Sequence, residues 1–371
     1  MRKPAVVALL LAACGGPPAA GSSSGPGPTS APASTSSSST SGSSTSEGTS
    51  TTGPEDDSAG SGSAANSSTG TLRDVGTDED FGPVQPEGCK GKVDLLFLIS
   101  RLHTMTTEQT QLLASFQGFV ETIQEQLADF DVHIMVANPD GKWPGWGCEK
   151  YKCPEYAPNC GPDALDYQCN VYPKLITPCD ETLGAGLTFN TGSYAANRPC
   201  ELFGGNRYII SGEPDLPDAL ECIAKVGAGG GIPPLGDALI AALKPKINAE
   251  GGCNAGFLRD DALLVVVFIS DISDEKSTSW PYQQYDAIIA AKKDPNAVVM
   301  LGVVPQPLEE GEQKKPGCTY DEDPINKDKI RDLIDRFPNR AYGDTCADNY
   351  APFFVQAADL IGEVCGNFVP Q

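Results

Sequence analysis

Residues 93–105, VDLLFLISRLHTM, decide the fold. Val93 to Ile99 is an apolar run of strand length, interrupted only by Asp94, and such a run is typical of a strand covered on both faces of a parallel sheet. Polar and basic residues follow from Ser100, where the strand reaches the edge of its sheet. The stretch therefore predicts a central parallel strand whose carboxyl end leads into a loop of functional interest.

The chain after this strand alternates helical and strand patterns. Thr106 and Gln109 predict a capping box at the start of a helix with apolar residues at helical spacing. Further strands are predicted over residues 131–137, 261–270 and 296–304, and further helices over about 281–293, 325–337 and 350–364. This alternation predicts an α/β protein with a doubly wound, mostly parallel sheet flanked by helices and joined by right-handed crossovers.

The first residues have the features of a secretory signal. Arg2 and Lys3 precede an apolar run, Ala5 to Ala13, that is too short to span a bilayer. The sequence LAAC that ends at Cys14 resembles the lipobox of bacterial lipoproteins, in which cleavage leaves the cysteine to carry lipid. We therefore expect residues 1–14 to be a signal peptide with Cys14 lipidated, and a plain signal peptide is the alternative. No aspartate follows Cys14, which favours the outer membrane, facing the periplasm or the cell surface.

Residues 15–86 are mainly Ser, Thr, Gly, Pro and Ala, a composition that cannot bury enough apolar surface to fold. We expect them to be a disordered tether between the lipid anchor and the folded domain. The formal net charge of -23 excludes nucleic acid as a partner, because a surface this acidic repels phosphate. The charge is compatible with cations, and solubility outside the cytoplasm explains it equally well.

The cysteines support export to an oxidising compartment. Of thirteen, Cys14 is assigned to lipid, which leaves an even number for disulfides. Zinc is the competing interpretation, but the cluster between residues 148 and 200 has no C-x-x-C spacing and no histidine. The twelve are Cys89, Cys148, Cys153, Cys160, Cys169, Cys179, Cys200, Cys222, Cys253, Cys318, Cys346 and Cys365.

Topology predicts part of the pairing. Cys89 precedes the first strand and Cys365 ends the last helix, and the termini of a domain commonly lie close together. Local pairing is expected for four others, and the remaining six would pair among themselves within residues 148–200. The predicted bonds are Cys89–Cys365, Cys222–Cys253 and Cys318–Cys346.

Several stretches resemble von Willebrand factor A domains. The opening stretch is similar to VDLLFVIDNSGSM of bacterial relatives, PPLGDALIAAL (233–243) resembles the helix start TPLGDAL, and VVVFISDISDE (265–275) resembles the fourth strand. The segments NAGFLRDDALLVVVFISD and DTCADNYAPFFVQAADLIGEVC are similar to a group of bacterial cysteine-containing A-domain lipoproteins. The resemblance implies one A-like domain over residues 87–370, with a cysteine-rich insertion at about 141–207.

The resemblance also implies a site at the end of the first strand. In the family, an Asp-x-Ser-x-Ser, a Thr and an Asp bind Mg²⁺ through hard oxygen atoms at a metal-ion-dependent adhesion site. Only Thr104 and Asp271 retain usable side chains of the expected kind, and Arg101 adds a positive charge, so we expect a degenerate site without a metal cofactor. The family's five positions fall on Ser100, Leu102, Thr104, Pro233 and Asp271.

A second metal hypothesis uses carboxylates of the loop after the fourth strand. Asp271, Asp274 and Glu275 lie close in the chain, with Asp237 as a further candidate, and Ca²⁺ tolerates such irregular loops. The alternative is that Asp271 and Asp274 cap the segment that follows them.

The sequence offers little for catalysis. It has two histidines, His103 in the first loop and His133 in the second strand, and it lacks a G-x-S-x-G or H-E-x-x-H motif. His103 is expected to be a solvated loop residue and His133 a half-buried strand residue. An envelope hydrolase is therefore the least favoured function.

Aromatic residues in the insertion are another candidate for function. Trp143, Trp146, Tyr151 and Tyr156 lie among prolines and cysteines, where they either contact a protein or glycan partner or fill the small core of the lobe.

The sequence as a whole predicts a lipid-anchored envelope protein with a non-enzymatic, protein-binding or scaffold domain. The alternative is a metal-dependent adhesin in which water and Asp271 compensate for the missing ligands.

Overall fold

The structure, a computed structural model, describes residues 89, 91–127, 129–143, 171, 174–308, 313, 318 and 328–367. The predicted signal peptide with Cys14, the tether, and the cysteines from 148 to 169 lie outside these residues. Within the described ranges, no helix combines the length and the apolar character that crossing a membrane requires.

A single six-stranded sheet forms the centre of the described part of the chain. Its strand order is β3-β2-β1-β4-β5-β6, and all neighbours are parallel except β3, which is antiparallel to β2. This arrangement is an α/β fold of the Rossmann-like class, as predicted. The strands are β1 (Lys92–Ile99), β2 (Asp131–Val136), β3 (Ile209–Ile210), β4 (Leu263–Ile269), β5 (Val298–Val304) and β6 (Arg340–Asp344).

Helices cover both faces of the sheet. Alternate residues of β1 enter different cores: Leu95 and Phe97 pack with α1, α2 and α7, whereas Leu96 and Leu98 pack with α3, α5 and α6. Burial on both faces is why β1, β4 and β5 are apolar throughout. The helices are α1 (Thr106–Gln126), α2 (Leu216–Ala224), α3 (Leu235–Leu243), α4 (Pro245–Asn248), α5 (Pro281–Lys292), α6 (Lys329–Ile334) and α7 (Ala351–Asn367).

Some predicted details are wrong. The capping box of Thr106 and Gln109 does not form: α1 continues directly from a 3₁₀ turn, His103–Met105, and Gln109 is buried with neither amide atom bonded. Within the described residues from 328 onward, the helix predicted near 325–337 is α6, and it ends at Ile334. The short edge strands β3 and β6 were not predicted, because two residues, or the mixed sequence RAYGD, give no clear strand pattern.

The disulfides confirm two predicted pairs and correct a third. Cys222 pairs with Cys200, and Cys253 pairs with Cys179, so the predicted Cys222–Cys253 bond is wrong. The expectation that residues 148–200 pair only among themselves is wrong for the same reason. The disulfides among the described residues are Cys89–Cys365, Cys179–Cys253, Cys200–Cys222 and Cys318–Cys346.

The described part of the long connection between β2 and β3 packs closely on the domain. The Gly184 N–H donates to the Asn138 carbonyl at 2.9 Å, and the Asn138 side chain donates to the Asp180 carbonyl at 2.9 Å. Gly184 has a φ of 76°, and a Cβ atom there would lie 2.7 Å from the Ala238 carbonyl oxygen of α3. Only glycine fits this contact, which fixes the connection against α3.

Candidate functional site at the carboxyl edge of the sheet

The carboxyl ends of β1 and β4 lie side by side. Ile99 is opposite Ile269 in the paired strands, and the Ser100 N–H donates to the Ile269 carbonyl at 2.8 Å. In the loop after β4, the Asp271 N–H donates to Met105 Sδ at 3.3 Å. The two loops therefore meet at the edge where parallel α/β sheets bind ligands.

The structure joins two of the five positions that the family uses for its metal. Burial raises the pKa of Asp271, and the hydroxyl of the exposed Thr104, which lies close to it, opposes part of this rise. Ser100 is fully buried, and its hydroxyl oxygen accepts the Leu102 N–H at 3.3 Å. Pro233 is buried just before α3. At the other three positions, therefore, neither a carboxylate nor a free hydroxyl is available to Asp271; these positions are Ser100, Leu102 and Pro233.

Arg101 holds the loops of this edge together. Its Nη1 donates to Asp140 Oδ1 at 3.1 Å and to the Lys142 carbonyl at 3.0 Å, and its Nη2 donates to the Val226 carbonyl at 2.9 Å. Its own carbonyl accepts the Gly230 N–H at 2.7 Å. The buried guanidinium therefore connects the loop after β1 with those after β2 and α2. Its pattern in the sequence, a lone basic residue after a strand, did not reveal this role.

Most carboxylates of the predicted acidic cluster stabilise local structure. Asp274 accepts the Gly236 N–H at 2.8 Å, and it accepts the hydroxyl and the N–H of Ser277 at 2.6 and 3.0 Å. Asp237 accepts N–H groups of the loop before α5 in the same way. Glu275 is exposed. The capping interpretation therefore describes Asp274, and Asp271 is left as the carboxylate of that cluster with a buried, unbonded oxygen.

Two buried polar residues of α1 were not predicted to belong to a site. Glu108 and Gln109 are buried, and Glu108 Oε2 and both amide atoms of Gln109 lack a hydrogen bond. Gln109 precedes Leu112 and Phe116 by three and seven residues, so the helical period that identified the apolar face also places Gln109 on it. Burial raises the pKa of Glu108, and the charge of Asp271 raises it further.

The two histidines occupy the positions expected for them. His103 is exposed in the 3₁₀ turn. His133 in β2 is partly buried, with Nδ1 3.0 Å from the Phe257 carbonyl and the ring 4.8 Å from that of Tyr208. Burial lowers the pKa of His133, which favours the neutral ring.

The aromatic residues divide between a core and an exposed pair. Trp143 is fully buried against Phe189, with ring centroids 5.3 Å apart, so it fills a core as one interpretation predicted. Trp146, Tyr151 and Tyr156 lie outside the described residues. Trp280 and Tyr282, which were not singled out in the sequence, are 58% and 53% exposed at the start of α5.

No protein-family model matches the chain, and neither does any curated protein. Among the residues that the structure describes, no group of three or more His, Cys, Asp or Glu side chains is placed to hold a metal ion. The arguments about function therefore rest on the edge of the sheet itself.

Proposed function

We propose that the protein is a lipid-anchored envelope protein whose A-like domain is a non-enzymatic protein-binding or scaffold module that works without Mg²⁺. The observation that carries the proposal is the buried Arg101, whose guanidinium lies against Asp140 and two loop carbonyls. A fixed side-chain cation already organises loops of this edge. A divalent ion is not needed to hold them in a binding conformation.

The exposed aromatic residues supply a contact surface at the same edge. In a parallel α/β sheet the helix that follows a strand begins at the carboxyl edge, and α5 follows β4. Trp280 and Tyr282 lie at the start of α5, and Lys329 Nζ lies 5.1 Å from the centroid of the Trp280 ring. Large, rigid aromatic side chains of this kind are frequent anchors in protein interfaces.

The resemblance to A domains supports this surface, because proteins of that family bind their partners at the carboxyl edge of the sheet. The lipobox-like sequence at Cys14 and the tether over residues 15–86 would hold the domain away from an outer membrane.

Site-specific photo-crosslinking tests the proposal. A crosslinking amino acid in place of Tyr282 in the full-length protein should yield a discrete adduct with an envelope protein in the producing cell, and chelation with EDTA should leave its yield unchanged. The matched control replaces Phe203, which is 51% exposed and lies beside the segment that precedes β3. Equal adducts from both positions, or loss of the Tyr282 adduct in EDTA that Mg²⁺ but not Ca²⁺ restores, would contradict the proposal.

The alternative of a metal-dependent adhesin has one observation in its favour. Asp271 Oδ1 is buried without a hydrogen bond, as a vacant ligand atom would be. Loss of the crosslinked adduct in EDTA, with recovery in Mg²⁺, would favour that function.

A further inference from the structure

Four buried side chains near the loop after β4 have oxygen atoms without hydrogen bonds. Their exposed fractions are 7% for Glu108, 0% for Gln109, 4% for Asp271 and 2% for Thr345. A buried polar atom without a partner costs free energy, and a buried carboxylate costs more. The unbonded oxygens are Glu108 Oε2, Gln109 Oε1, Asp271 Oδ1 and Thr345 Oγ1.

Helix α1 brings two of these side chains toward the end of β4. Met105, just before α1, accepts the Asp271 N–H through its sulfur at 3.3 Å. Gln109 follows Met105 by four residues, so it lies one turn further along the same side of the helix, and it is fully buried. Glu108 is close enough for the charge of Asp271 to raise its pKa.

Tyr350 lies between Thr345 and the early turns of α1, because its hydroxyl is also 2.9 Å from Gln111 Oε1. The Tyr350 hydroxyl donates to the Thr345 carbonyl at 2.9 Å. The charges of Glu108 and Asp271 both contribute to raising the pKa of Tyr350, after the larger effect of burial. The loop after β6, the first turns of α1 and the loop after β4 therefore enclose one polar region.

The region contains two acidic groups and little compensating charge. His103, the nearest basic side chain in the loop after β1, is exposed to solvent, and the guanidinium of Arg101 is bound to Asp140 on the side of the β2 loop. Two buried carboxyl groups without a cation either share a proton or bind a positive ion.

The donor atoms select among ions. Two carboxylates, an amide oxygen and a hydroxyl are hard oxygen ligands, and Ca²⁺ accepts six to eight such ligands in irregular geometry, with water completing the shell. Mg²⁺ requires near-ideal octahedral geometry and gives up its water reluctantly, which disfavours it where buried side chains replace most of its water shell. We propose that Glu108, Gln109, Asp271 and Thr345 form a Ca²⁺ site that braces these loops from within.

This site differs from the family's metal position, with which it has only Asp271 in common, and it does not rest on the proposed function. A buried ion would stabilise the loops rather than present an open coordination position to a partner. With two charged ligands, the dissociation constant should be about 10⁻⁴ to 10⁻³ M, the range of extracellular Ca²⁺ modules.

Calorimetric titration of the disulfide-bonded, metal-free full-length protein with CaCl₂ tests the site. We expect one saturable event, at least tenfold weaker binding of Mg²⁺, and a Tm raised by a few degrees in about 10 mM Ca²⁺. Glu108→Gln and Asp271→Asn keep the shape of each side chain and should each weaken Ca²⁺ binding tenfold or more. Glu275→Gln, an exposed carboxylate in the same loop as Asp271, should leave it unchanged.

Three results would overturn the site: absence of saturable binding up to about 10 mM Ca²⁺, binding that survives Glu108→Gln, or a higher Tm in both neutral variants when the unmodified protein does not bind. The last result would show that the buried carboxyl pair destabilises the fold and has no bound ion to offset it. If a variant does not fold, Tb³⁺ luminescence of the unmodified protein provides a second measurement. Tyr350 adjoins the site and should sensitise emission that Ca²⁺ competes away; emission that Ca²⁺ does not reduce counts against the site. The crosslinking experiment measures a partner instead, so either proposal can fail alone.

Discussion

Replacing Arg101 by methionine should destabilise the protein far more than replacing an exposed arginine with shorter ion-pair contacts. The Arg101 and Asp140 side chains are 1% and 11% exposed, with Nη1 3.1 Å from Oδ1. Removal of the guanidinium leaves one largely buried carboxylate without its cation and the Val226 carbonyl without that donor, whereas the Lys142 carbonyl still accepts from Asn138 Nδ2 at 3.2 Å. Breaking one partner of a buried ion pair typically costs about 3 to 5 kcal/mol.

The matched control is Arg198→Met. Arg198 contacts Asp218 at 2.7 Å, a shorter distance than that of the buried pair, but the side chains are 43% and 59% exposed. Solvent screens this pair, so its loss should cost less than about 1 kcal/mol. The shorter distance predicts the larger loss of stability for Arg198→Met, whereas burial predicts the larger loss for Arg101→Met. We expect burial to decide.

Urea unfolding and thermal unfolding of the oxidised full-length protein measure the free energy of unfolding and the Tm of both variants. At about 2 °C per kcal/mol for a domain of this size, the Tm of Arg101→Met should fall by roughly 6 to 10 °C, and that of Arg198→Met by no more than about 2 °C. Asp140→Asn keeps an acceptor for the guanidinium and should cost less than Arg101→Met. Equal losses for the two arginine variants would refute the conclusion that Arg101 holds the loops.

Three further predictions concern the anchor, the family's metal position and a buried acid. Cys14→Ser should give an unprocessed or soluble precursor; partitioning of that variant into detergent at the unmodified level would refute lipidation. In calorimetry, Mg²⁺ and Mn²⁺ should bind the unmodified protein no better than about millimolar, whereas the triple variant Ser100→Asp, Leu102→Ser, Pro233→Thr should gain affinity; micromolar binding without these changes would contradict the ligand count. Burial raises the pKa of Asp94 from 3.8 to about 6, although Arg259 opposes the shift, so the folded state holds this proton more tightly than the unfolded state. The resulting stability is present below about pH 4 and is lost as the pH rises through about 6. Between pH 4 and pH 7, the free energy of unfolding in urea should therefore fall by ~3 kcal/mol for the unmodified protein relative to Asp94→Asn. A constant difference would show that the pKa is not raised.

The sequence alone determined the central sheet. Apolar runs of strand length specify β1, β4 and β5, because a strand buried on both faces must be apolar at nearly every position. The Cys89–Cys365 bond also followed from the sequence, since these residues flank the first strand and the last helix of one domain. The capping of the β4 loop by Asp274 was one of two interpretations that the sequence left open.

Tertiary structure decided what the remaining polar residues and cysteines do. Cys222 pairs with Cys200 and not with Cys253 because of the side of α2 that meets each loop, and separation along the chain does not determine that side. Arg101 looks like a surface residue, because a single charge in a sequence gives no sign of the direction in which its side chain points, and its burial depends on loops that are distant in sequence. The helical period places Gln109 on the buried face of α1, but only the folded chain shows which loops lie near it. Local patterns therefore fix strands and helices, whereas the contacts between loops, and with them the candidate site, exist only in the folded chain.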